Sequence, residues 1–146
     1  MTAVQRICFE RRPFEAAATE LVAVVDGISL VDLVRPFEVG SGYQPAGGYR
    51  GLVPDYFDFG DLARCLAGEQ TPWPGSQVPL LGCDCGEWGC WPLIATVVDA
   101  DGLVEWSTFR QPYRLTWDYS GFGPFRFTET DYRSAAYAAR DPAPSP

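Results

Sequence analysis

The chain has 146 residues, 47% of them apolar and 14% aromatic, with a formal net charge of −8. That length and composition suit one globular domain, expected over residues 1–140, whose core is large enough to need no disulfide. All 11 basic residues are arginine and histidine is absent, which excludes imidazole acid–base chemistry, histidine metal ligation, lysine Schiff bases and phosphate-loop lysines.

Taken in chain order, Val4 to Phe9 reads as a short strand, with Arg11-Arg12-Pro13 as a break. Glu20 to Val25 and Ile28 to Val34 are β-branched runs around Asp26-Gly27, a dipeptide suited to the positive φ angles of a type I′ turn, so they predict a hairpin. Val39 to Tyr49 holds four glycines and a proline and reads as a long loop able to cover a pocket. Asp58 or Asp61 can cap a short helix running to about Gly68, on which Leu62, Cys65 and Leu66 share one apolar face.

Gln77 to Cys85 then reads as a strand entering a cysteine-rich turn, and Trp91 to Asp99 with Leu103 to Arg110 as a second hairpin around Ala100-Asp101-Gly102. Trp106 and Phe109 are out of phase on a strand, so their rings should address opposite faces. Phe125 to Phe127 is a last short strand, and Thr128 to Asp131 has the spacing of a helix N-terminal box before a helix of Tyr132, Ala135, Ala136 and Ala139. Asp141 to Pro146 reads as a disordered tail. These elements together predict an α+β fold, mainly an antiparallel β-sheet of about five to seven strands with two short helices in a single domain.

The segment Leu81-Gly-Cys-Asp-Cys-Gly-Glu-Trp-Gly-Cys-Trp-Pro-Leu93 concentrates the chemistry, with three of the five cysteines. If Gly86-Glu87-Trp88-Gly89 is a loop between antiparallel strands, Cys85 faces Cys90, strand alternation puts Cys83 beside Cys85, and Asp84 points to the opposite side. Such a cluster can bind zinc or another soft metal. A structural zinc needs a fourth ligand, and Cys65 completes the candidate set Cys65, Cys83, Cys85 and Cys90. Two other readings stay open: the cysteines are inert buried thiols, or Cys85 and Cys90 form a redox pair.

Glu87 and Trp88 at the loop tip are candidate binding residues, unless the indole folds back over the sheet. Arg110 and Arg114 could pair with Asp84 or Glu87, or clamp an anion. Asp55, Asp58 and Asp61 are too sparse for a calcium loop, and helix capping accounts for them. Trp106, Phe109, Trp117, Phe122, Phe125 and Phe127 could line a pocket for a flat ligand, although packing accounts for most of them.

The run Leu80 to Cys83 and Gly86 to Leu93, followed by Trp106, Phe109-Arg110, Pro112, Trp117 and Gly123-Pro124-Phe125, resembles a family of small bacterial proteins of uncharacterised function. The resemblance covers about the C-terminal half of the chain and implies neither an activity nor a ligand.

Acidity, and no arginine cluster beyond Arg11-Arg12, argue against nucleic acid. No stretch of about 18 apolar residues argues for a membrane span, and the charged N-terminal residues Arg6 and Glu10 do not suit a signal peptide. The expectation is a small soluble cytoplasmic protein, non-enzymatic, that binds a protein partner or serves as an accessory factor through its cysteine turn. A zinc-stabilised module, with zinc as the candidate cofactor, and a thiol-dependent enzyme are the alternatives. In a reducing compartment, five cysteines favour free thiols or a metal over a disulfide framework.

Overall fold

Two antiparallel sheets joined edge to edge organise the chain, in a computed structural model that describes residues 4–15 and 18–139. The tail expected over 141–146 lies outside these residues. Strand β1 (Ile7–Glu15) pairs with β2 (Ala18–Val25), which pairs with the two-residue β3 (Ile28–Ser29). The second sheet has the order β4 (Tyr49–Arg50), β5 (Gln77–Cys83), β6 (Leu93–Ala100), β7 (Leu103–Arg110) and β8 (Phe125–Thr128). Paired backbone hydrogen bonds of 2.6 and 2.9 Å between Leu21 and Leu52 tie β2 to the end of β4. At the other end, Gln5 N–H donates to the Arg126 carbonyl at 2.7 Å. Hydrogen-bonded neighbours therefore run in a circuit, which leaves few open strand edges.

The expected α+β, mainly antiparallel architecture is the one observed, with three α-helices among the described residues where two were expected. The additional helix, α1 (Leu30–Gly40), replaces most of the strand expected over Ile28 to Val34. The Asp26-Gly27 turn forms as expected, with φ of 51° and 84°, but the second arm of the hairpin stops after Ser29. Ser29 Oγ accepts from Asp32 N–H at 3.1 Å, which caps a helix whose buried positions Leu30, Val34 and Glu38 follow i, i+4, i+8. The β-branched run supports period-two and helical readings at once, and the cap decides between them.

Helix α2 (Leu62–Leu66) starts at Asp61, whose carboxylate accepts from Ala63 N–H, and buries Ala63, Cys65 and Leu66. Helix α3 (Glu129–Ala138) starts at Thr128, whose hydroxyl accepts from Asp131 N–H at 3.2 Å. It presses Tyr132 and Ala136 into the core. There the Trp106 indole donates to Tyr132 Oη at 3.0 Å, and Tyr132 donates to the Leu66 carbonyl at 2.5 Å. This relay satisfies both polar tips inside an apolar cluster and ties β7, α3 and α2 together.

Trp106 and Phe109 do not face opposite sides. Both rings reach Phe125, at centroid distances of 6.4 and 5.7 Å. The pairing of β6 with β7 slips between Ile94 and Thr96, where Thr108 is the extra residue with φ of 53°. A bulge inserts one residue and so restores the phase. Strand β1 likewise runs through Arg11-Arg12-Pro13 without the expected break, with Pro13 opposite Thr19. No helix among the described residues is long and apolar enough to cross a membrane.

Candidate metal centre

The sulfurs of Cys83, Cys85 and Cys90 all lie within 4.8 Å of one another. Strand pairing does not bring them together, because β5 ends at Cys83 and β6 begins only at Leu93, opposite Leu81. A folded loop does. Gly86 N–H donates to the Cys83 carbonyl at 2.9 Å, and the Glu87 carbonyl accepts from the N–H groups of both Cys83 and Cys90 at 3.3 Å. Glu87 therefore acts through its backbone, as the hub that sets the approach of Cys90 to Cys83.

The loop is braced on several sides. Asp84 N–H donates to the Gly48 carbonyl at 3.0 Å, continuing the pairing of Tyr49 with Cys83. The indoles of Trp88 and Trp91 donate to Asp58 Oδ1 at 2.9 Å and to the Gly47 carbonyl at 3.2 Å. Tyr113 Oη donates to the Gly89 carbonyl at 2.8 Å. At Gly86 the φ is +101°, and a Cβ would stand 2.9 Å from Phe14 Cζ, so only glycine permits this close packing.

The thiols differ in electrostatics. Cys85 N–H donates to Cys83 Sγ at 3.4 Å. Desolvation pushes the Cys83 thiol up to about 12. Hydrogen bonds from the Cys83 thiol and the Glu87 backbone hold Cys85 below the usual thiol value. Of these two thiols, Cys85, which is exposed, is the readier to ionise. Asp84 does not point away as expected: its Oδ1 lies 3.5 Å from Cys83 Sγ.

Cys65 is not part of the cluster. It is fully buried in the main core, where desolvation raises its thiol to about 12. The expected apolar face of α2 forms, but it points into the core and not toward the turn. Cys8 is exposed on β1. For a tetrahedral zinc with Zn–S bonds of about 2.3 Å, ligand sulfurs sit about 3.8 Å apart, so the three sulfurs need approach by at most about an ångström.

The other expected binding residues do not converge. Trp88 is partly buried, packing its ring against Phe57 and Trp73 at 5.2 and 6.0 Å, so the indole folds back. Arg110 donates to Gln77 Oε1 at 2.7 Å, and Arg114 lies over the Trp91 ring at 5.0 Å. Neither pairs with Asp84 or Glu87. Of the aromatics, Trp106, Phe109, Phe122, Phe125 and Phe127 are core and Trp117 is half-buried. Phe109, Trp117 and Phe122 line an open cleft of about 420 Å³ together with Thr108, Asp118 and Tyr119.

One buried polar group escapes a reading of the sequence. Glu38 is fully buried on α1 and accepts from Gly47 N–H at 2.7 Å, Tyr49 Oη at 2.8 Å and Tyr119 Oη. Gln111 donates to Tyr49 Oη at 3.2 Å. Burial, followed by the nearby Glu38 carboxyl, raises both phenols above their ordinary values. This network anchors the 41–48 loop, whose Gly47 and Gly48 carbonyls brace the cysteine loop. The available signal is Glu38 falling in helical register with Leu30 and Val34.

Comparison of the chain with protein-family models, with curated proteins and with solved structures gives no match.

Proposed function

We propose that the chain is a small, non-enzymatic accessory protein that binds a thiophilic cation, zinc foremost, at Cys83, Cys85 and Cys90. The observation that carries this reading is the convergence of three sulfurs within 4.8 Å on a loop braced by its own backbone. Soft d¹⁰ cations prefer thiolates, and a chain of net charge −8 attracts cations in general. A reducing cytoplasmic compartment keeps such thiols free for a metal. The zinc-stabilised module is the less favoured form of the same idea, because the fourth cysteine it requires is committed to the core. A thiol enzyme is less favoured again: the chain has no histidine to act as base, and the Cys85 thiol is lowered chiefly by hydrogen bonds from Cys83 and the Glu87 backbone.

The test is metal stoichiometry on the reduced, full-length protein. Close to one equivalent of zinc is expected, reduced severalfold in Cys83→Ser, Cys85→Ser and Cys90→Ser but unchanged in Cys8→Ser and Cys65→Ser. Uptake that survives all three loop substitutions would overturn the assignment.

A further inference from the structure

Resting on that reading, we infer that the bound cation keeps one coordination position facing solvent, and that this position takes an incoming thiolate, so that the ion is cargo handed on and not a strut of the fold. Three observations carry this. First, the ligand group ends at three: among the described residues no further cysteine or carboxylate lies within 4.8 Å of all three sulfurs, and the chain has no histidine. Zinc in a protein is four-coordinate, and a site with three protein ligands leaves the fourth position to a water or an exogenous ligand.

Second, the missing position is accessible. Cys85 and Cys90 are exposed and only Cys83 is half-buried, so the protein side of the cluster lies at Cys83 and the open side beyond the other two. Third, the loop holds its shape through groups that are not ligands. The Glu87 carbonyl bonds, the Trp88 to Asp58 hydrogen bond and the packing of Phe14 against Gly86 all fix it without using a sulfur. A structural zinc organises its loop; here the loop is organised by backbone and aromatic contacts.

The exchange step balances without redox chemistry. An incoming thiol releases its proton to solvent, its sulfur lone pair forms the fourth metal–sulfur bond, and the coordinated water leaves. A loop thiolate can then take up a proton as its own metal–sulfur bond breaks, and the metal's oxidation state is unchanged throughout. The shared chemistry is a single thiolate donor, from a small solute or from a cysteine of an acceptor chain.

Co²⁺ replaces zinc as a coloured probe on the reduced full-length protein. One equivalent with sulfur-to-cobalt charge-transfer intensity of three thiolates is expected. Adding 2-mercaptoethanol should raise that intensity by about one third, and a cysteine-bearing unstructured peptide in a parallel arm shows whether protein thiolates are admitted as well. A response in either arm supports the inference. Four-thiolate intensity before any thiol is added, or no response to either donor, would overturn it while leaving the metal site standing; failure to take up Co²⁺ overturns both. A second readout is chelation of the zinc form, which should leave the far-ultraviolet circular dichroism unchanged. Unfolding on chelation would return the ion to a structural role.

Discussion

The Trp88 indole N–H donates to Asp58 Oδ1 at 2.9 Å, joining the tip of the cysteine loop to the segment that leads into α2. The same ring packs on Phe57 and Trp73. Trp88 is thus part of the loop's foundation and not a free anchor for a partner. Trp88→Ala should lower stability by about 2–3 kcal/mol through lost packing, whereas Asp58→Ala, removing one exposed hydrogen bond, should cost about 1 kcal/mol or less. Both should weaken zinc binding severalfold, since the loop loses a brace. Urea denaturation and competition with a chromophoric chelator check the two effects; a Trp88→Ala protein that melts like the parent would refute the packing account.

Gly86 offers a sharper separation of loop from fold. Its φ is +101°, and a Cβ added there would stand 2.9 Å from Phe14 Cζ, which leaves no room for a side chain. Gly86→Ala should therefore displace the loop, costing about 1–3 kcal/mol and most of the zinc affinity. Zinc titration followed by thermal melting measures both. Undiminished affinity would mean that the three sulfurs converge without the observed turn.

Glu38 is expected to matter through satisfaction of hydrogen bonds. Replacing it by leucine leaves Gly47 N–H and the hydroxyls of Tyr49 and Tyr119 without their shared acceptor, at a cost of about 3 kcal/mol or more. Glu38→Gln keeps an acceptor oxygen and should cost about half as much. Equal urea midpoints for the two variants would contradict this ordering.

Much of this architecture is legible in the sequence where local chemistry is unambiguous. Asp26-Gly27 and Asp101-Gly102 both form the turns their residue types require, and Thr128 starts α3 by its expected bond to Asp131. The convergence of Cys83, Cys85 and Cys90 is also readable, but for a different reason from the one that operates. Alternation along a strand predicts it; a turn closed on the Glu87 carbonyl produces it. What the sequence does not disclose is set by tertiary context. Cys65 sits on the predicted helix face, yet which wall of the core that face meets depends on α3 and Tyr132. The helix beginning at Leu30 is masked by β-branched residues, whose strand preference yields to burial of Leu30, Val34 and Glu38 on one side.

Alkaline stability should report the buried thiol. In the unfolded chain the Cys65 thiol ionises near 9.0, and in the fold burial delays this to about 12. Between those values the unfolded state binds fewer protons than the native one, so stability is fully present below the lower value and declines as pH rises through the window. The slope for one such group is about 1.4 kcal/mol per pH unit. The phenols of Tyr49 and Tyr119, raised in the same sense from 10.0, add to the decline within that window once the pH passes their unfolded value. Cys65→Ala should be less stable at neutral pH yet lose stability more gently over the first part of that window. Urea midpoints measured in parallel at successive pH values test this, and parallel slopes for parent and variant would count against it.

Thr108 carries the last prediction, because the bulge it forms decides which way two aromatic rings face. A β-branched residue at a φ of 53° is strained, and the side chain of Thr108 is exposed, so little packing compensates. The bulge nevertheless persists, since it lets Trp106 and Phe109 meet Phe125 from the same side. Glycine at this position keeps the backbone path and removes the steric penalty of the Cβ, although it adds freedom to the unfolded chain. The steric term is about 1–2 kcal/mol and the entropic one about 0.5–1 kcal/mol, so Thr108→Gly should stabilise by about 0.5–1 kcal/mol, raising Tm by a few degrees. Thr108→Val, which retains branching at Cβ, should give no gain. A loss of stability in the glycine variant would show that the threonine side chain contributes contacts along the cleft that outweigh its backbone strain.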